Sequence, residues 1–212
     1  MIIIKNLNKY FEGKRIFEDF SLEIKKGEMV ALVGNSGCGK TTLLNMIGLL
    51  EPIDSGELIL CGHVNVKPGS KKAERLLRES ISYLFQNYAL IENETVQYNL
   101  MLALKYVAIS KSEKEERLRQ ALKEVGLTGI ERQKVFRLSG GEQQRVAIAR
   151  CMLKPCELIL ADEPTGSVDS DNREIILDLV QKMHEQGKTI VIVTHDSYVA
   201  ERCGRQIHLI KA

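Results

Sequence analysis

The chain has no apolar run approaching the roughly 18 to 20 residues that a bilayer-spanning helix needs, which excludes such a helix from these 212 residues. A dominant charge is missing too. Thirty Lys and Arg against 28 Asp and Glu leave a formal +2, too little for the basic footprint of nucleic-acid binding, so no nucleic-acid partner is expected. The five cysteines (Cys38, Cys61, Cys151, Cys156, Cys203) match no metal-ligand spacing and are odd in number. Reduced thiols in the cytosol are the expectation, not a disulfide framework or a zinc site. Met1-Ile2-Ile3-Ile4-Lys5 has neither a basic leader nor a cleavage site and reads as a strand. Internal repeats, low-complexity tracts and long linkers are also lacking. What remains is an ordinary globular composition, 44% hydrophobic, with length for one core and a modest subdomain.

Against these absences stands Gly34-Asn35-Ser36-Gly37-Cys38-Gly39-Lys40-Thr41. It follows the apolar run Met29–Val33 and precedes Thr42-Leu43-Leu44-Asn45-Met46-Ile47, giving strand, glycine-rich turn and helix start. The spacing is G-x-x-x-x-G-K-[ST] in its required context. Its glycines let backbone N–H groups reach a phosphate chain, and the helix N-terminus adds partial positive charge there. Lys40 reaches the terminal phosphates and the Thr41 hydroxyl is a Mg²⁺ ligand. The nucleotide-binding set therefore runs from Gly34, Asn35, Ser36, Gly37, Cys38 and Gly39 to Lys40, Thr41 and Thr42.

Upstream, Ile2-Ile3-Ile4 and Phe20–Ile24 read as short strands, with Tyr10 and Phe11 in the polar stretch between them. An aromatic there is either edge core or a platform for a purine ring. Downstream come a strand over Glu57–Gly62, an exposed charged helix within Lys67–Ser80, and a strand over Ile81–Phe85 ending at Gln86. The pattern then turns helical from Thr95 to about Val125. Val96–Leu104 is apolar nearly all round and must be covered. Ser112-Glu113-Lys114-Glu115 reads as a capping box opening an amphipathic helix that buries Leu118, Ala121, Leu122 and Val125 and ends at Gly126. Later strands at Leu158–Ala161, Thr189–Val193 and Gln206–Ile210 alternate with helices at Asp171–Gln186 and Asp196–Cys203. The fold class is α/β with a largely parallel sheet, an N-terminal antiparallel part and an inserted helical subdomain over about 88–150.

Two further stretches carry chemistry. Leu158–Ala161 delivers Asp162 and Glu163 to the edge of the sheet where ligands bind. Asp162 is suited to Mg²⁺, and Glu163, on the opposite pleat, to activating water. Leu138-Ser139-Gly140-Gly141-Glu142-Gln143 contains a capping box, Ser139 with Glu142. A cap does not ask for two adjacent glycines, each costing roughly 1 kcal/mol relative to alanine in a helix. Bare N–H groups at a positive helix end suit a phosphate contact.

Leu138–Gln143 resembles the signature sequence of the ATP-binding-cassette (ABC) ATPases, and the resemblance covers essentially the whole chain. It implies that Gln86 is the Q-loop glutamine and a Mg²⁺ ligand beside Thr41 and Asp162. It makes Asp162 and Glu163 the Walker B pair, Ser167-Val168-Asp169 the D-loop and His195 the switch histidine, with Tyr10 the adenine-stacking aromatic. Glu163, His195 and Gln86 are then the catalytic set. Two copies are expected to pack head to tail around two ATP molecules, with Ser139, Gly140, Gly141, Glu142 and Asp169 reaching the partner's nucleotide.

Cys38 departs from the more usual serine and is expected to contribute a backbone N–H while leaving a thiol open to oxidation. Val168 replaces a more frequent leucine, and Leu90-Ile91-Glu92-Asn93 lacks a common proline. The resemblance implies an ATPase subunit of a transporter, most like the lipoprotein-release, macrolide-efflux and bacteriocin-export cassettes. It would lie on the cytoplasmic face of the cell membrane with a separately encoded permease. The alternative is a regulatory, non-transporting cassette of the cell-division kind. The long coiled coil of repair members, the second cassette of translation factors and the Asn-Lys-x-Asp motif of GTPases are all missing.

Overall fold

The computed structural model describes residues 1–166 and 168–210. Four strands, β1 (Ile2–Phe11), β2 (Lys14–Ile24), β4 (Ser55–Leu60) and β5 (His63–Val64), form an antiparallel sheet in the order β2-β1-β4-β5. Five others, β3 (Met29–Val33), β6 (Ile81–Leu84), β7 (Leu158–Asp162), β8 (Thr189–Val193) and β9 (Arg205–His208), form a parallel sheet in the order β6-β7-β8-β3-β9. The helices are α1 (Lys40–Ile47), α2 (Lys71–Glu79), α3 (Val96–Ala103), α4 (Lys111–Glu124), α5 (Gly140–Leu153), α6 (Ser170–Glu185) and α7 (Ser197–Glu201). This is the α/β arrangement that the pattern predicts.

The edge strand β9 is polar and mostly exposed, whereas the central strands β3, β7 and β8 are almost wholly apolar and buried because both their faces are covered. Alternation divides them between two clusters. Met29, Ala31, Ile159, Ala161, Ile190 and Ile192 pack with α3, α4, α5 and α6. Val30, Leu32, Leu158, Leu160, Val191 and Val193 pack with α1 and the antiparallel sheet. The helical part thus shares its apolar cluster with one face of the sheet.

Three local expectations change. Tyr10 and Phe11 lie within β1, paired with Arg15 and Lys14, and not in a loop. The hairpin runs longer than its apolar residues suggest because backbone pairing continues to its turn. The cap of α4 is Ser110, whose side chain accepts from Glu113 N–H; Ser112 lies one residue inside the helix. Gly126 ends this helix as expected, at φ +72, with Leu127 N–H bonded to Leu122 O and Gly126 N–H to Lys123 O, a Schellman closure. Finally, α3 is covered on one side only: Val96 and Leu100 are buried, while Tyr98 and Leu102 are exposed.

Candidate nucleotide site

Strand order lines up the chemistry. At the C-terminal edge of the parallel sheet, β6 ends before Gln86, β7 at Asp162, β8 before Thr194 and His195, and β3 before the glycine-rich turn. Between them lies a cleft of about 370 Å³ lined by Ser36, Gly37, Gly39, Lys40, Thr41, Thr42, Gln86, Asp162, Glu163 and His195, with Ile16 and Val193. Residues spread from Ser36 to His195 are therefore neighbours. Gly39, at φ +97 in front of α1, is required by space as well: a Cβ there would lie 2.7 Å from Ile16 Cγ2 and 2.8 Å from Phe17 Cζ. Lys40 Nζ is held over the loop, donating to the carbonyls of Gly34 (2.7 Å) and Asn35 (3.1 Å).

Thr41 Oγ1 donates to Asp162 Oδ1 at 3.4 Å. Burial, reinforced by the charge of Glu163, pushes the Asp162 carboxyl above its ordinary value, while Thr41 and Lys40 pull the other way. Among the described residues no group of three or more His, Cys, Asp or Glu is placed to hold a metal. A hydroxyl, a carboxylate and the Gln86 amide are nevertheless the oxygen set that suits Mg²⁺, which usually takes one or two carboxylates and completes its shell with phosphates and water. A cation there would also relieve the crowding of Asp162 by Glu163.

Glu163 stands one residue beyond β7 with φ +46, turned out of the pleat that the sequence predicts for it. Its Oε1 lies 2.7 Å from His195 Nδ1, and its Oε2 accepts from Thr194 Oγ1 at 3.3 Å. An ionised carboxylate only accepts, so the imidazole proton sits on Nδ1. Thr194 is fully buried, and its hydroxyl also accepts from Asp196 N–H at 3.1 Å. The sequence reading missed this residue, although it directly precedes His195.

A second cluster lies at the start of α5. Ser139 Oγ accepts from Glu142 N–H (3.3 Å) while the Glu142 carboxylate accepts from Ser139 N–H (2.8 Å), the capping box that the spacing predicts. Gly141 has a packing reason that the sequence does not disclose: a Cβ there would come within 2.5 Å of Asn172 Cγ. That amide donates to both Asp169 carboxylate oxygens (3.0 and 2.9 Å) and accepts from Arg145. Asp169 caps α6, and its bonds to Asn172, the backbone N–H first, hold its carboxyl below the ordinary value. Ser139, Gly140, Gly141, Glu142 and Asp169 are thus grouped near Asn172, and none of them lines the Lys40 cleft. Ser167 lies outside the described residues.

Two expected residues sit differently. Cys38 is buried, so its thiol is not the exposed oxidation target predicted. Tyr10 is exposed with the Arg15 guanidinium 5.8 Å from its ring centre; neither it nor the equally exposed Phe11 lines the cleft.

The model of the family described as ABC transporter matches residues 17–166. Curated relatives include the macrolide export ATP-binding/permease protein MacB of Mannheimia succiniciproducens, 40% identical over 213 residues, covering 99% of this chain and 33% of that protein. MacB of Campylobacter jejuni subsp. jejuni is 40% identical over 209 residues, with the same coverage. The chain therefore spans one third of the length of these relatives. A dimeric post-hydrolysis structure of the ATP-binding cassette MJ0796, bound to ADP and Pi, superposes with a TM-score of 0.90 at 37% identity, covering 100% of this chain and 95% of that one. The cbiO1 subunit of the transporter complex cbiONQ from Clostridium perfringens gives 0.85 at 27% identity, covering 99% and 84%. With its lysine loop, paired carboxylates and serine–diglycine helix tip in one α/β frame, the chain belongs to the ABC transporter family.

Proposed function

We propose that two copies of this cassette close head to tail around two ATP molecules and drive a membrane-spanning permease, in the direction of export. One observation carries the reading. The Ser139–Gly141 tip is a 14-residue helix's N-terminus with the chemistry of a phosphate site, yet it does not line the cleft of its own chain. A second copy would bring the two halves together, and a relative, the cassette MJ0796, is solved as a dimer.

Within that arrangement Lys40 and the loop N–H groups bind the phosphates. Thr41, Asp162 and Gln86 would hold Mg²⁺, which supplies charge neutralisation on the phosphate oxygens. Glu163 orients and deprotonates the attacking water, and His195 and Thr194 fix the rotamer of its carboxylate. For the adenine we assign Phe11 in place of Tyr10. Lys9 and Phe17 are cross-strand partners and so share a face, and Phe17 packs on Gly39. Phe11, two residues from Lys9, lies on that face with the Lys9 ammonium 4.9 Å from its ring centre.

Permease docking is proposed at the groove that includes Arg78, Leu102 and Tyr106 beside Phe85. Among the described residues no helix is long and apolar enough to cross a membrane; docking on that partner would hold the cassette at the inner membrane face. The names of the curated relatives favour export over a regulatory, non-transporting role. The test is Glu163→Gln. It should retain ATP, lose turnover by at least about a hundredfold and run as a dimer with ATP in size-exclusion chromatography, while detergent extracts yield a membrane protein on pull-down. A Gln variant that hydrolyses normally, or recovery of only ribosomes or DNA, would overturn the proposal.

A further inference from the structure

Two turns that the proposed reaction depends on contain left-handed residues, and both are held by side chains of one helix. Glu163 has φ +46; Tyr88 and Ala89, just beyond Gln86, have φ +63 and +47. Non-glycine residues keep such backbone only where their surroundings over-determine it. At the first turn, Gln144 of α5 is 1% exposed, and its Nε2 donates to the Pro164 carbonyl at 2.5 Å, immediately after Glu163. At the second, Arg150 of α5 donates from Nη1 to the Ala89 carbonyl (2.5 Å) and from Nη2 to the Tyr88 carbonyl (2.8 Å). The two side chains are six residues apart, about 9 Å along the helix at 1.5 Å per residue.

Packing alone does not call for these groups. Gln144 Oε1 has no hydrogen-bond partner among the described residues, and a buried amide left half-satisfied is less favourable than an apolar side chain of the same length. The same helix begins at the Ser139–Gly141 tip, with one turn between the tip and Gln144.

We propose that α5 is a positioning rod. Gln144 fixes the Glu163 turn and Arg150 the turn after Gln86, so contact of the tip with the partner's nucleotide is passed to both turns of its own chain. Neither residue lines the nucleotide cleft, so both are positioning residues. This inference rests on the two-copy reading above.

The test is steady-state MgATP hydrolysis by the full chain. Gln144→Met keeps the shape and removes the donor; kcat should fall at least tenfold with KM for ATP within about twofold. Gln144→Glu has a carboxyl that burial keeps protonated to higher pH, restoring an O–H donor to the Pro164 carbonyl. Its rate relative to wild type should therefore recover towards acid pH and fall as pH rises. Arg150→Met should lower kcat, with partial recovery in Arg150→Lys. Wild-type kcat in Gln144→Met or in Arg150→Met overturns the rod, as do Met and Glu variants of Gln144 impaired equally at every pH, the mark of a packing role. The two readings fail separately. A Glu163→Gln protein that never dimerises with ATP sinks the two-copy reading, whereas one that dimerises beside a fully active Gln144→Met protein sinks the rod alone.

Discussion

Gly141→Ala offers a quantitative test of how the signature helix is seated. The new Cβ would lie 2.5, 2.6 and 2.8 Å from Asn172 Cγ, Oδ1 and Nδ2, against an ordinary carbon contact of roughly 3.5 to 4.0 Å. Something must move by about 1 Å. Asn172 cannot yield freely, because its amide is bonded to both oxygens of Asp169 and to Arg145. Overpacking of this size costs about 1 to 3 kcal/mol, partly offset by about 1 kcal/mol of helix propensity gained over glycine. A net loss of up to about 2 kcal/mol is expected, or up to roughly 8 °C in Tm for a chain of this size. The assay is urea unfolding of a double-mutant cycle with Asn172→Ala. In that background Gly141→Ala should be neutral or stabilising, leaving a coupling energy of about 1 to 3 kcal/mol. Equal destabilisation with and without the Asn172 side chain would refute the steric argument and leave the glycine to phosphate contact alone.

Other expectations are simpler to check. Asp162→Asn removes a half-buried carboxylate crowded by Glu163, so nucleotide-free protein should melt at a higher temperature at neutral pH. A carboxyl whose folded pKa is raised above 3.8 contributes stability present below that value and lost as pH rises through the folded pKa, so the variant's advantage should fade in acid; a lower Tm at pH 7 would contradict the assignment. Phe11→Ala should weaken ATP binding by about 1 to 2 kcal/mol, taking the loss of one base–aromatic stack, and Tyr10→Ala should change it little; the reverse result in equilibrium titration would restore Tyr10. Ser110→Ala should cost about 1 kcal/mol through loss of the α4 cap, and Ser112→Ala less than about 0.5 kcal/mol, both read by urea unfolding. In native protein a bulky maleimide should label the half-buried Cys61 well before the buried Cys38, with mass spectrometry of peptides as the readout.

Much of this was legible from residue order because it depends on local spacing. The loop from Gly34 to Thr41, the Ser139–Glu142 box and the carboxylates after Leu158–Ala161 each need only a strand or helix period and a turn to be placed. What escaped depends on contacts between distant segments. The preference proposed for Phe11 over Tyr10 rests on pairing with β2, a register that the polar residues of that hairpin do not encode. Gly141 is explained by Asn172, 31 positions later, so its spacing alone suggested only a phosphate. Gln144 and Arg150 look like solvated helix residues, and Cys38 like an open thiol, until the elements that cover them are known. Ser110 lost to Ser112 because both have an acidic residue three positions on, Glu113 and Glu115, and only the fold shows which serine begins the helix.

The parallel sheet also works as a wall. Each of its central strands sends alternate side chains into two separate oily compartments, one backing the nucleotide loop and the other backing helices α3 to α6. Volume changes made in one compartment have no shared neighbour in the other except the wall itself. Evolution, or an engineer, could therefore recut the helical half to suit a different transporter while leaving the ATP-gripping half almost undisturbed.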